Sequence, residues 1–126
     1  MTNPPKKILI IEDEKILAEM YKDRFLQEGY QVVLAFTSEE GITLAKKEKP
    51  DLILLDILLP KENGVGFLKR LKQAPEISST PVVAFSNYDE PRTRKEVENL
   101  GIKAYLLKTD FAPQDLVKEI KGYLPA

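Results

Sequence analysis

Four large apolar residues, Leu52-Ile53-Leu54-Leu55, run straight into a carboxylate, Asp56. Such a run reads as a strand buried on both faces, as in a parallel sheet. An ionised Asp beside it is costly unless it is paired, hydrogen-bonded or metal-bound. That cost is bearable at the carboxyl end of the strand, where open α/β sheets bind their ligands. Pro60 and Gly64 then mark a loop rather than a continuing element. The chain is therefore expected to hold one carboxylate at the rim of a sheet, just before a turn-rich loop.

The rest of the chain alternates in the same way. Ile8–Ile11 is an apolar strand that ends on Glu12 and Asp13. Glu14–Glu28 reads as a helix with Ile16, Leu17, Met20, Tyr21, Phe25 and Leu26 on or near its buried face, stopped by Gly29. Gln31–Phe36 is a second strand, and Thr37 with Glu40 matches the capping-box pattern opening a helix to about Lys49. After the central strand, the spacing predicts a helix over 63–73 with Phe67, Leu68 and Leu71 inward. Pro81–Phe85 is a strand ending on Ser86, and Pro91 to about Leu100 a helix stopped by Gly101. Ala104–Leu107 ends on Lys108, and Pro113–Leu124 closes the chain with Leu116, Val117, Ile120 and Tyr123 at amphipathic spacing. Regular βα alternation with apolar strands implies a parallel sheet covered by helices on both faces.

Composition removes whole classes of chemistry. The 126 residues fit a single domain, expected over 6–124 behind a disordered arm at 1–5 that is extended at Pro4-Pro5, with no output domain attached. Nineteen basic and twenty acidic residues leave a net charge of −1, which gives no general attraction to nucleic acid or an anionic membrane. No apolar run is long enough for a bilayer, and the first is too short for a signal peptide, so a cytoplasmic location is expected. Cysteine and histidine are both absent, which excludes disulfides, Cys- or His-ligated metals and Ser-His-Asp catalysis. Carboxylates, hydroxyls, amines and backbone remain, a set suited to a hard cation held through oxygen.

Asp13 (with Glu12), Asp56, Ser86 and Lys108 each follow a strand, and a parallel sheet brings all strand carboxyl ends to one edge. Clustered carboxylates raise one another's pKa unless a cation neutralises them, and Mg²⁺ is the natural candidate. A metal held by Asp13 and Asp56 would draw in a phosphoryl group, with Lys108 pairing with its oxygens and Ser86 hydrogen-bonding one of them. Asp56 would then be the nucleophile, forming an acyl phosphate. Each residue also has a plainer use: Asp13 as a helix cap, Asp56 as a turn residue, Ser86 as a strand-end hydroxyl, Lys108 as a surface lysine.

Glu12-Asp13, the Leu-Leu-Asp56-Ile-Leu-Leu-Pro60 segment with Gly64, Ser86 after an apolar strand, and Tyr105-Leu-Leu-Lys108 closely resemble the receiver domains of response regulators in two-component signalling. The resemblance runs from about Lys6 to Leu124. It implies a flavodoxin-like (βα)₅ three-layer fold with a five-stranded parallel sheet of order 2-1-3-4-5. It makes Asp56 the phosphoacceptor, with Lys108 and Ser86 on the phosphoryl group. Asp13, Asp56 and the Leu58 backbone carbonyl become Mg²⁺ ligands, with Glu12 acting through water. Ser86 and Tyr105 become the switch, altering the face formed by the fourth helix, fifth strand and fifth helix.

The expected function is that of a signalling domain rather than an enzyme. It takes phosphate from the phosphohistidine of a histidine kinase or phosphotransfer protein and passes the signal to a protein target, with no direct contact to nucleic acid or membrane. The alternative is an unphosphorylated, pseudo-receiver scaffold that binds partners through the same face. FMN binding is disfavoured by the acids at Glu12-Asp13-Glu14, and a haloacid-dehalogenase-type site by Leu58 where a second Asp is needed. Two departures from the family stand out. Thr109 follows Lys108 where the family usually has a proline, often after a cis bond; before a non-proline residue cis costs about 2.5–4 kcal/mol, so trans is expected. Asn87 and Tyr88 follow Ser86 where a small residue is usual, and with Leu58 they are expected to cover the acyl phosphate and alter its lifetime.

Overall fold

The computed structural model describes residues 4–59, 62–87 and 89–125. Part of the expected arm at 1–5, the loop marker Pro60 and the Tyr88 of the expected cover lie outside these residues. The described chain alternates strictly: β1 (Lys7–Ile11), α1 (Lys15–Gln27), β2 (Gln31–Ala35), α2 (Ser38–Glu48), β3 (Leu52–Leu55), α3 (Gly64–Lys72), β4 (Val82–Ser86), α4 (Pro91–Asn99), β5 (Ala104–Leu107) and α5 (Pro113–Lys121). A short 3₁₀ turn, Lys108–Asp110, links β5 to α5.

The strands form one parallel sheet in the order β2-β1-β3-β4-β5, the flavodoxin-like arrangement. Alternation along each strand splits the core into two layers. Leu9, Ile11, Ile53, Leu55, Val82 and Ala84 pack with Ile42, Ala45, Phe67, Leu68 and Leu71 from α2 and α3. Ile8, Ile10, Leu52, Leu54, Val83 and Phe85 pack on the other face with Tyr21, Phe25, Leu116, Val117 and Ile120 from α1 and α5. β3, fully buried in both layers, is the middle of the molecule. All the βα links leave from one edge of the sheet, which positions the site.

Local chemistry explains most boundaries. Thr37 caps α2, its hydroxyl accepting from the Glu40 N–H at 3.1 Å, while the Glu40 carboxylate accepts from the Phe36 N–H at 2.9 Å. Asn63 caps α3 through the N–H groups of Val65 and Gly66. Gly29 ends α1 at φ +91°, a left-handed conformation that glycine adopts without steric cost.

The buried face of α1 differs from the sequence expectation. Ala18, Tyr21 and Phe25 are buried, whereas Ile16, Met20 and Leu26 are exposed, Ile16 by 86%. Two apolar stripes run along this helix, and α1 rolls the one with the small Ala18 onto the sheet, where closer approach is possible. The expected trans geometry at Lys108-Thr109 holds, since no cis peptide bond occurs among the described residues. Those two residues instead begin the 3₁₀ turn.

Candidate functional site

Four polar or charged residues are buried among those described: Glu12, Ser38, Asp56 and Ser86. Three of them stand at the carboxyl ends of β1, β3 and β4, on one edge of the sheet. Asp56 is fixed by its backbone, its N–H donating to the Ile11 carbonyl at 3.0 Å, and Glu12 by its N–H on the Ala35 carbonyl at 3.0 Å. The register of the central strands thus carries both acids to the same rim. Adjacent residues at a strand end point in opposite senses, so Glu12 turns inward and is buried while Asp13 is exposed.

Oxygens of Glu12, Asp13 and Asp56 all lie within 4.8 Å of one another. Lys108, from the end of β5, places its ammonium between two of these acids. It donates to Asp56 Oδ2 at 3.2 Å and, in a short contact, to Glu12 Oε1. The remaining oxygens are also used: Leu58 N–H donates to Asp56 Oδ1 at 3.2 Å, and Glu14 N–H to Glu12 Oε2 at 3.1 Å. Asp13 does not cap α1; Glu14 holds that position and offers no side-chain bond.

Burial decides the electrostatics. Desolvation pushes the Glu12 carboxyl up, against the hydrogen bonds from Lys108 and from the Glu14 N–H that pull it down. Burial also opposes the charge on Lys108, but the Glu12 hydrogen bond and the Asp56 and Glu12 charges outweigh it and push the ammonium pKa up. One fixed cation therefore pairs with two of three clustered acids. The donor set left over is oxygen only and carries surplus negative charge, which fits a hard divalent cation.

An open cleft of about 220 Å³ lies over this cluster, lined by Asp13, Asp56, Leu58, Ser86, Asn87 and Lys108 among others. It leaves Asp56 approachable although the residue itself is buried. Ser86, at the end of β4, is buried in the wall of the same cleft. Tyr105 on β5 is buried in the layer shared with α2 and α3, and the Arg94 guanidinium of α4 stacks over its ring at 4.9 Å. Arg94 also pairs with Asp89 at 3.3 Å and Glu98 at 3.8 Å.

Among the described residues, Glu12, Asp13, Asp56, Leu58, Ser86, Asn87 and Lys108 thus reach this edge, while Tyr105 sits in the core behind it. Two neighbours were not legible. Tyr21 shares with Glu12 and Asp56 the lining of a gap too narrow to hold water, and meets Phe85 edge-on at 5.3 Å. Ser38 reads in the sequence as part of the Thr37 capping box, although it is the fourth buried polar residue. Its hydroxyl is engaged 24 residues away, on the carbonyl of Glu62.

A family model described as the response regulator receiver domain matches residues 8–121. The chain is 31% identical over 120 residues to the polar-differentiation response regulator DivK of Brucella anthropi, covering 95% of this chain and 97% of that one. Among solved structures, chemotaxis protein CheY4 of Vibrio cholerae superposes with a TM-score of 0.87 at 25% identity, over 95% of this chain and 99% of that one. A CheY-like receiver domain protein from Methanospirillum hungatei gives 0.84 at 31% identity, over 94% and 92% respectively.

Proposed function

The chain belongs to the response regulator receiver family of two-component signalling, and from that premise we propose that it accepts a phosphoryl group on Asp56 and passes the signal on through protein contacts. The observation that carries this reading is the Asp56 carboxylate itself: buried, paired with Lys108 at 3.2 Å, grouped with Glu12 and Asp13, and opening into the cleft. A carboxylate with only a turn-forming role has no use for that company.

In the proposed transfer, an Asp56 oxygen attacks the phosphorus of a phosphohistidine. The P–N bond breaks as the new P–O bond forms, and the imidazole leaves with the electron pair and takes up a proton. The donor phosphohistidine belongs to a histidine kinase or phosphotransfer domain, because these 126 residues contain no histidine. Asp13, Asp56 and the Leu58 carbonyl would hold Mg²⁺, with Glu12 acting through water, and the ion supplies neutralisation of the charge on the transferring oxygens. Lys108 moves its ammonium from the carboxylates to a phosphoryl oxygen. The Ser86 hydroxyl donates to another, and the Asn87 side of the cleft covers the product.

Tyr105 and Ser86 would report the event. A phosphoryl oxygen that holds Ser86 inward favours the ring of Tyr105 in its buried site, where Arg94 already stacks on it. The exposed surface of α4, β5 and α5 then changes its preference for protein partners. No helix among the described residues is long and apolar enough to cross a membrane, in keeping with a cytoplasmic role. The test is transfer of labelled phosphate from a phosphorylated histidine phosphotransfer domain. Label should reach the unchanged chain in Mg²⁺ and not Asp56→Asn; equal labelling of both, or of neither across a panel of donors, would contradict the reading.

A further inference from the structure

The buried hydroxyl of Ser38 has a task that lies outside the acidic cluster. Ser38 is the first residue of α2 and is 2% exposed, yet its Oγ donates at 2.8 Å to the main-chain carbonyl of Glu62, in the stretch between β3 and α3. A buried hydroxyl that gives its proton to a backbone carbonyl so distant in sequence fixes the chain there. The rest of Glu62 is fixed as well. Its carboxylate pairs with Arg70 at 2.8 Å, and its Cγ lies so close to Gly66 that a Cβ there would meet it at 2.5 Å.

The near end of the same stretch is held with equal care. Leu58 N–H donates to Asp56 Oδ1 at 3.2 Å, and Gly64 N–H donates to the Ile57 carbonyl at 2.8 Å. A Cβ at Gly64 would crowd Ile57, standing 2.7 Å from its Cδ1 and 3.0 Å from its Cα. The segment that presents Leu58 is therefore anchored at both ends, and the Ser38 bond is its buried anchor. The Arg70 pair is partly exposed and worth less.

We infer that Ser38 is a positioning residue: by fixing Glu62 at the entry to α3 it limits the positions open to Leu58, four residues back, and so helps offer the Leu58 carbonyl to a divalent cation beside Asp56. The metal consequence rests on the reading of the site proposed above; the anchoring itself does not. The physical reason is pre-organisation. A carbonyl on a loosely held loop must be ordered when it binds, and that ordering entropy is subtracted from affinity, whereas an anchored one has been ordered by folding.

The test compares the unchanged chain with Ser38→Ala, which deletes the hydroxyl, and Ser38→Cys, which keeps the volume with a weak donor. Thr43→Ala is the control, removing an exposed α2 hydroxyl that bonds only within its helix, to the Glu39 carbonyl. Mg²⁺ binding is read by titration calorimetry, and amide exchange is read at Leu58 and Gly64. Both Ser38 variants should raise the Mg²⁺ Kd, Ser38→Ala by roughly tenfold, the low end for outer partners of a metal site. Leu58 and Gly64 should exchange faster while the amides of β1 and β3 do not change, and Thr43→Ala should match the unchanged chain. A Kd within twofold and unaltered exchange in both Ser38 variants would overturn the inference. If the unchanged chain itself takes up no Mg²⁺, the metal reading fails; exchange then decides the anchoring alone, faster supporting it and unaltered refuting it.

Discussion

At the residue scale the site depends on one ammonium shared by buried acids. Lys108 is held by Glu12 and Asp56, and neither carboxylate has a second cation within reach of an ion pair among the described residues. The split between Glu12 and Asp13 shows how much one backbone position matters: next to each other in sequence, one is buried and the other faces solvent. The same contrast on α1 yields a prediction. Phe25 is fully buried, so Phe25→Ala should cost about 3–5 kcal/mol. Ile16 is 86% exposed, so Ile16→Ser should change stability by less than about 0.5 kcal/mol. Urea unfolding of the two variants checks this, and comparable losses would mean that α1 is rolled the other way. The sequence could not decide it, because both stripes satisfy helical spacing and the choice is made by how closely Ala18 lets the helix approach the sheet.

At the scale of elements, the helix starts vary in quality. Glu90 caps α4, accepting from the N–H of Thr93 at 2.8 Å and of Arg92 at 3.1 Å, and from the Thr93 hydroxyl at 3.0 Å. Those bonds, the Thr93 N–H foremost, hold its carboxyl below the usual range. A carboxyl lowered on folding stabilises above its unfolded pKa, and that stabilisation is lost as pH falls through the folded value. The Thr93 amide resonance should therefore titrate with a midpoint below the ordinary glutamate range, and the step should vanish in Glu90→Gln. A midpoint at or above the ordinary range would contradict the cap. α5, by contrast, starts on Ala112 with no side-chain bond. Ala112→Ser should add up to about 1 kcal/mol, read as a higher melting temperature; no rise would count against this helix start. Elements of both kinds were legible from proline, glycine and capping residues, with ends shifting by a residue or a few. α5 is the largest case, closing at Lys121 rather than near Leu124. What was not legible was long-range: the Ser38 bond to Glu62 joins segments whose neighbourhood exists only once α2 packs beside α3.

At the scale of the whole molecule, the parallel sheet does the gathering. Glu12, Asp56, Ser86 and Lys108 come from four strands spread over nearly the full length, yet they end at one edge because every strand points the same way. That convergence was readable in the sequence, since it needs only the direction of the strands and the polar residue that follows each. The burial of Tyr105 under Arg94 was not, since it depends on where α4 lies over β5. In the function proposed above, this edge is a metal-dependent phosphoacceptor centred on Asp56. Intact-mass spectrometry tests it most directly, after incubation with acetyl phosphate and Mg²⁺, beside a chelator control and Asp56→Asn. The unchanged chain should gain the mass of one phosphoryl group, and neither control should. Addition that persists in Asp56→Asn or without metal would contradict that function, as would a chain that binds Mg²⁺ yet gains no phosphate from acetyl phosphate or from any histidine kinase.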